Sequence, residues 1–96
     1  MADYIITSKR QSLAEVRQWD FDFTNDLPDG VTVSSASATH VPPSGSASTP
    51  TVGTISGNIV PVLLGPLSVT GWHELHVLAT LSTGKSEIRL KIRVDF

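Results

Sequence analysis

The C-terminal third of the chain alternates between apolar and polar residues with a period of two. The apolar positions before residue 82 are Leu75, Val77, Ala79 and Leu81, and those after residue 85 are Ile88, Leu90, Ile92, Val94 and Phe96. Only a β-strand directs every second side chain to the same face, so this pattern predicts two long amphipathic strands. Residues 82–85, with the sequence Ser-Thr-Gly-Lys, join them as the turn of a hairpin.

A second alternating segment begins at Val16 and carries three of the six aromatic residues of the chain. Its predicted inward positions are Trp19, Phe21 and Phe23, and its predicted outward positions are Asp20, Asp22 and Thr24. Buried aromatic rings remove a large apolar area from water, so we expect this strand to anchor the core. Residues 25–30 contain proline and glycine and predict a turn.

The middle of the chain predicts three further strands, over residues 31–41, 51–55 and 58–64. Residues 42–50 contain only Pro, Gly, Ser, Ala and Thr and predict a mobile surface loop. Pro61 lacks an N–H donor, which places it at a sheet edge or a bulge. Short strands separated by turn signals at this spacing indicate an all-β sandwich of two antiparallel sheets.

Composition narrows the possible functions. The chain has 96 residues and no cysteine, which excludes disulfides, thiolate nucleophiles and cysteine-ligated metals. Seven basic and nine acidic residues give a net charge of −2, which argues against binding to nucleic acid or to an anionic membrane. Glycine-rich phosphate loops and nucleophile elbows are absent from the sequence, so we expect neither an enzyme nor a protein that needs a cofactor or small-molecule substrate.

The first 14 residues have no sustained period and predict an N-terminal arm that precedes a domain over residues 15–96. Within the arm, Ser12 and Glu15 have the spacing of a capping pair around one short turn. Tyr4, Ile5 and Ile6 are large apolar residues on an otherwise polar segment. They either form a first strand on the domain, dock onto a neighbouring molecule, or remain disordered.

The three histidines, His40, His73 and His76, are candidate metal ligands. His73 and His76 differ by an odd number of residues and therefore face opposite sides of one strand, and His40 belongs to a distant strand. We therefore expect no metal site. His73 instead occupies the position at which many immunoglobulin-like domains have a corner tyrosine, so one of its ring nitrogens is predicted to bind the backbone.

Two stripes of charge are candidate interfaces. Arg89, Lys91 and Arg93 face outward on the last strand, and Asp20 and Asp22 face outward on the aromatic strand. In one interpretation the basic stripe protects an exposed strand and the two stripes are neighbours in one sheet. In the other, the stripes lie on different flanks and pair head to tail between copies, which closes a ring.

The layout resembles the small immunoglobulin-like structural proteins of tailed bacteriophages. The resemblance lies in three features: the aromatic strand of residues 15–24, the Asp-Leu-Pro-Asp-Gly turn of residues 26–30, and the final hairpin with its Ser-x-Gly turn and basic, hydrophobic last strand. It implies an immunoglobulin-like antiparallel β-sandwich with an extended N-terminal arm. Its histidine in place of the corner tyrosine departs from the pattern.

The resemblance also implies a function. Members of this group are fibre-tail adaptors or neck and collar proteins, so we expect a virion protein, made in the host bacterial cytoplasm and assembled in many copies. Its partners would be other copies in a ring, portal or connector proteins, and fibres. Tyr4, Ile5 and Ile6 together with the two charged stripes are then the candidate contact residues.

A binding module for carbohydrate or for surface adhesion is the competing function. Such sites stack exposed aromatic residues on sugar rings. Trp72 is the candidate, because it lies on the face opposite Leu75 and Val77.

Overall fold

The structure is a computed structural model that describes residues 4–24 and 30–95, with side chains described from residue 9 onward. The strands in these ranges are β1 (Tyr4–Ser12), β2 (Arg17–Asp22), β3 (Val33–Val41), β4 (Thr51–Val52), β5 (Ile59–Leu64), β6 (Gly71–Leu81) and β7 (Gly84–Asp95). They form a four-stranded sheet with the order β1-β7-β6-β3 and a three-stranded sheet with the order β2-β5-β4. The fold is the predicted all-β sandwich.

The predicted C-terminal hairpin is confirmed. β6 and β7 pair without interruption from Gly71 opposite Val94 to Leu81 opposite Gly84, and Ser82 and Thr83 form the connecting turn. The inward positions named from the sequence are buried at Leu75, Val77, Ala79, Leu81, Ile88, Leu90, Ile92 and Val94. Phe96 lies outside the described residues.

The opposite half of the core comes from the aromatic strand and from β5. Phe21 and Phe23 are buried as predicted, whereas Trp19 is only partly buried. β5 pairs with β2 in the same sheet and adds buried side chains beside these rings, at Val60, Val62 and Leu64. Residues 25–29 of the predicted turn lie outside the described residues, and Gly30 has the positive φ of +81° expected there.

The position of Pro61 differs from the prediction of a sheet edge or bulge. β5 is the central strand of its sheet, and Pro61 lies opposite Asp20 of β2. On the other side of β5 the Pro61 carbonyl accepts a hydrogen bond of 2.8 Å from Gly53, just after β4 has ended at Val52. The missing proline N–H therefore faces the side on which the neighbouring strand has already ended, which is why a central strand tolerates it.

The expected arm of residues 1–14 includes a strand of the domain. Of the three alternatives for Tyr4, Ile5 and Ile6, the backbone shows a first strand on the domain, because Tyr4–Ser12 pairs with β7. This pairing is parallel, whereas the other strand pairs of the described chain are antiparallel, so the four-stranded sheet is mixed. The predicted turn follows it: the Glu15 carboxylate accepts a hydrogen bond of 3.1 Å from the Ser12 N–H.

Gln11 joins the two sheets at this edge of the sandwich. Its buried side-chain amide donates to the carbonyls of Leu64 and Glu15, at 2.8 and 3.0 Å, and its oxygen accepts from the Trp19 indole at 2.8 Å. The approach requires Gly65, since a Cβ there would collide with the Glu15 carbonyl and lie 3.0 Å from the Gln11 amide nitrogen. Gly65 also has a φ of +120°, which side-chain-bearing residues rarely adopt.

We expect Gly65→Ala to lower the free energy of unfolding by roughly 3 kcal/mol. The backbone strain of a side chain at positive φ and the collision of its Cβ with Glu15 and Gln11 both contribute. Gly57→Ala is the matched control, since Gly57 also has a positive φ but no atom within 4 Å of its added Cβ. The control should cost about 1 kcal/mol. Urea denaturation followed by tryptophan fluorescence measures both, and equal losses would contradict the role assigned to Gly65.

Candidate interaction surfaces and the buried histidine pair

His73 makes the backbone contact predicted from its corner position. Its ring is buried at the start of β6, and Nε2 lies 2.6 Å from the carbonyl oxygen of Val69, four residues earlier. A carbonyl oxygen only accepts hydrogen bonds, so Nε2 carries the proton. The imidazole thus makes the kind of backbone contact that the hydroxyl of a corner tyrosine makes in immunoglobulin-like sandwiches.

His40 is not distant from His73, contrary to the sequence analysis. β3 and β6 pair with His40 opposite Leu75, and this register brings His40 Nε2 to 2.7 Å from His73 Nδ1, with the two rings parallel. Because the proton of His73 is on Nε2, its Nδ1 accepts and His40 Nε2 donates. His40 Nδ1 then accepts the hydroxyl proton of Ser48, at 3.2 Å.

Hydrogen bonds between His40 and Ser48 also hold the loop that follows β3 against that strand. The backbone groups of His40 and Ser48 exchange two hydrogen bonds, of 2.8 and 2.9 Å, beside the ring contact. An open cleft of about 440 Å³ lies against the pair, and the described residues that line it include no carboxylate, lysine or arginine. The pair is therefore a polar brace between the loop, β3 and β6, with no acid or base partner in the cleft.

Removing the brace should be costly. We expect His73→Ala to lower the free energy of unfolding by roughly 2–4 kcal/mol. The substitution leaves a cavity, and it leaves the Val69 carbonyl and the ring Nε2–H of His40 without hydrogen-bond partners. His76→Ala should cost less than about 1 kcal/mol, since the His76 ring lies on the outer face and its hydrogen bond, of 2.8 Å, is to the partly exposed Glu74. Thermal unfolding of both variants measures the difference, and equal shifts in Tm would refute the brace.

The same geometry makes stability depend on pH. Burial, and secondarily repulsion from His73, lower the pKa of His40 below its ordinary 6.5. Between the pKa of His40 in the folded chain and its ordinary value, the unfolded chain binds a proton that the folded chain does not. The contribution of His40 to stability is therefore fully present above pH 6.5 and falls as the pH decreases below it.

We expect the urea midpoint to decrease between pH 7.5 and pH 5.5, and the decrease to be smaller in His40→Gln. The pKa values of Asp22 and Glu74 are also lowered in the folded protein, from 3.8 and 4.5, so their contributions change at more acidic pH. A slope that is the same in the native protein and in His40→Gln would exclude His40 as its source.

The basic stripe lies on the outer face of the four-stranded sheet, as predicted. Arg89 and Arg93 are exposed, and Lys91 is partly exposed between them. The stripe does not protect a sheet edge, because β1 and β6 pair with β7 on both sides. Local carboxylates contact it: Arg89 lies 2.7 Å from Glu87, and Arg93 lies 3.4 Å from Asp95.

The acidic stripe lies on the other sheet. Asp20 and Asp22 are exposed on the outer face of β2, so the two stripes are not neighbours in one sheet and occupy different flanks. The Asp22 carboxylate accepts a hydrogen bond from the Thr24 N–H at 2.9 Å, and Asp20 accepts one from the Gln18 amide at 2.8 Å. Neither carboxylate is within salt-bridge distance of a basic side chain among the described residues.

The remaining candidates are Trp72 and the N-terminal apolar residues. Trp72 is 48% exposed on the outer face of β6, and the Arg93 guanidinium lies 5.7 Å from its ring centroid. Tyr4, Ile5 and Ile6 lie opposite Ile88, Arg89 and Leu90 in β7. The contacts of their side chains lie outside the described part of the chain.

Residues 4–24 and 30–95 contain neither a cluster of metal-ligating side chains nor a membrane-spanning helix. No three His, Asp or Glu side chains converge as they would around a metal ion. A helix of sufficient length and hydrophobicity to span a membrane does not occur in these ranges.

Comparison with known proteins supports the fold alone. No protein-family model and no curated protein matches the chain. Among solved structures, the crystal structure of Listeria monocytogenes InlP superimposes with a TM-score of 0.52 and 15% sequence identity. The match includes 98% of this chain but 26% of the InlP chain, so the chain is similar to one part of that larger protein.

Proposed function

We propose that this protein is a structural component of a tailed-phage virion, an adaptor of the neck or collar that is present in many copies. Its partners are other copies of itself, portal or connector proteins, and fibres. The observation that supports it best is the separation of charge between the two sheets. The strands of the four-stranded sheet carry six basic and three acidic residues, whereas those of the three-stranded sheet carry one basic and two acidic residues.

Such a distribution suits a protein that acts through its surfaces. Arg17, the basic residue of the three-stranded sheet, lies at the sandwich edge, where its guanidinium contacts the Arg10 carbonyl at 3.1 Å and the Glu15 carboxylate at 3.7 Å. The charged residues on the outer face of its described strands are therefore the acidic Asp20 and Asp22. Faces of opposite sign support contact between copies. The residues on which the phage resemblance rests include β2 and the hairpin of β6 and β7.

The proposal predicts that the protein copurifies with phage particles. Particles from a lysate would be banded by density and probed for this chain by quantitative mass spectrometry, and we expect it in the particle band at a constant ratio to the portal protein. A tail-less mutant lysate separates head-proximal from tail-proximal attachment. A chain found only in the soluble fraction would contradict the proposal.

A carbohydrate-binding function is the second candidate, and exposed Trp72 favours it. The Arg93 guanidinium lies 5.7 Å from the ring centroid, and the exposed part of the indole is the surface that would stack on a sugar ring. Sugars that bind there should quench the fluorescence of the native protein and not that of Trp72→Phe. The partly buried Trp19 remains in both proteins as an internal control.

A further inference from the structure

The outer face of the three-stranded sheet carries an apolar stripe that the sequence analysis did not identify. Ile59, Pro61 and Leu63 alternate with the buried residues of β5 and point away from the core. Ile59 is 39% exposed and Leu63 is 42% exposed, and both lie on the central strand, where a sheet face is usually polar if it meets water. An apolar stripe in this place is typical of a face that another surface covers.

The acidic residues border this apolar stripe. Strand register places Asp22 opposite Ile59 and Asp20 opposite Pro61. On the other border, Thr51 lies opposite Leu63, and Gly53 adjoins Pro61 so closely that an added Cβ would lie 3.1 Å from the proline ring. The face is thus apolar along its centre and negatively charged along β2.

The outer face of the four-stranded sheet has the complementary character. Register places Trp72 opposite Arg93, and Glu74 opposite Lys91. The exposed indole supplies an apolar surface beside cationic groups. Three carboxylates offset part of this charge: Glu74 opposite Lys91, Glu87 beside Arg89 and Asp95 beside Arg93. Apolar contact at the centre with opposite charge at the border is the usual composition of a specific protein interface.

We propose that the outer face of the three-stranded sheet of one copy docks on the outer face of the four-stranded sheet of the next. In this contact Ile59, Pro61 and Leu63 pack against Trp72 and its neighbours, while Asp20 and Asp22 approach Lys91 and Arg93 of the second copy. The contact deepens the proposed function by naming the surface between copies, and it rests on that function only for its biological setting.

A second copy fits this face because both complementary surfaces belong to the same chain. They lie on opposite sides of the sandwich, so one copy uses both and the contact is heterologous. Heterologous contacts generate a ring when the rotation between copies closes and a filament when it does not. Two copies joined by the same face would instead place like charges together, which opposes association.

Paired charge reversals test the contact. Asp20→Lys with Asp22→Lys makes the acidic border basic, and Lys91→Glu with Arg93→Glu makes the basic stripe acidic. Each double variant alone should lose the self-association of the native protein in sedimentation velocity, with a dissociation constant raised roughly tenfold or more. An equimolar mixture of the two should associate again, because each reversed face then meets its complement.

Three controls accompany this test. Lys85→Glu reverses a basic residue of the same strand at its hairpin end, opposite Thr80 and away from Lys91 and Arg93, and should leave association unchanged. Leu63→Ser should weaken association without changing its dependence on salt, whereas native association should weaken as salt screens the charges. Circular dichroism of every variant establishes that it is folded.

A native protein that is monomeric at all concentrations would overturn the proposal, and the face would then belong to a partner of different chemistry. The proposal would also fail if the two double variants, once mixed, did not associate. Association that follows these rules in a protein absent from phage particles would support the contact and contradict the proposed virion function, so the two failures are distinguishable.

Discussion

The structure depends on the confinement of one layer of alternate side chains between two pleated sheets. β2 and β5 supply one side of this layer and the hairpin of β6 and β7 supplies the other, with residues such as Phe23 and Ile92 entirely buried. Each fully buried side chain of this size contributes about 1.5–3 kcal/mol by transfer from water. Since the chain has no cysteine, no disulfide supplements this burial.

Two polar braces fix how the sheets are closed at their ends. At one edge, the amide of Gln11 ties β1 to the indole of β2 and to the carbonyl at the end of β5. At another, His73 binds the connection before β6 and, through His40, the loop after β3. Buried polar groups of this kind are favourable only when every partner is present, so they specify the connections more than they add to the apolar stability.

The sequence was sufficient to predict those features that follow from side-chain alternation along a single strand. The buried face of β6 and β7, the buried Phe21 and Phe23, and the outward direction of the charged stripes are of this kind. The bond from His73 to the backbone was also predictable, because a corner position depends on local geometry.

Features that depend on register between strands were not predictable from alternation. The contact of His40 with His73 needs the particular pairing of β3 with β6, and neither residue signals the other in the sequence. The hydrogen bonds of Gln11 to the opposite sheet were not predicted, because a single glutamine in a polar segment resembles any exposed residue. Likewise, Pro61 indicated an edge strand, which concealed the apolar stripe on what is in fact a central strand.

Side-chain alternation also decides what the outside of the sandwich can do. Once the inward positions are filled, the alternate positions of β5 and β7 must form two outer faces that lie on opposite sides of the molecule. Nothing in the requirements of the core makes Ile59 and Leu63 apolar, or places cationic side chains on β7 beside an exposed indole. Contact with water would favour polar residues in place of Ile59 and Leu63, and it would favour neither sign of charge on the outer face of β7. The proposed contact between the faces would account for the choice of apolar residues on one face and cations on the other. Because these faces are opposed within each copy, such a contact propagates from one copy to the next and cannot end at a dimer without leaving one face of each terminal copy uncovered.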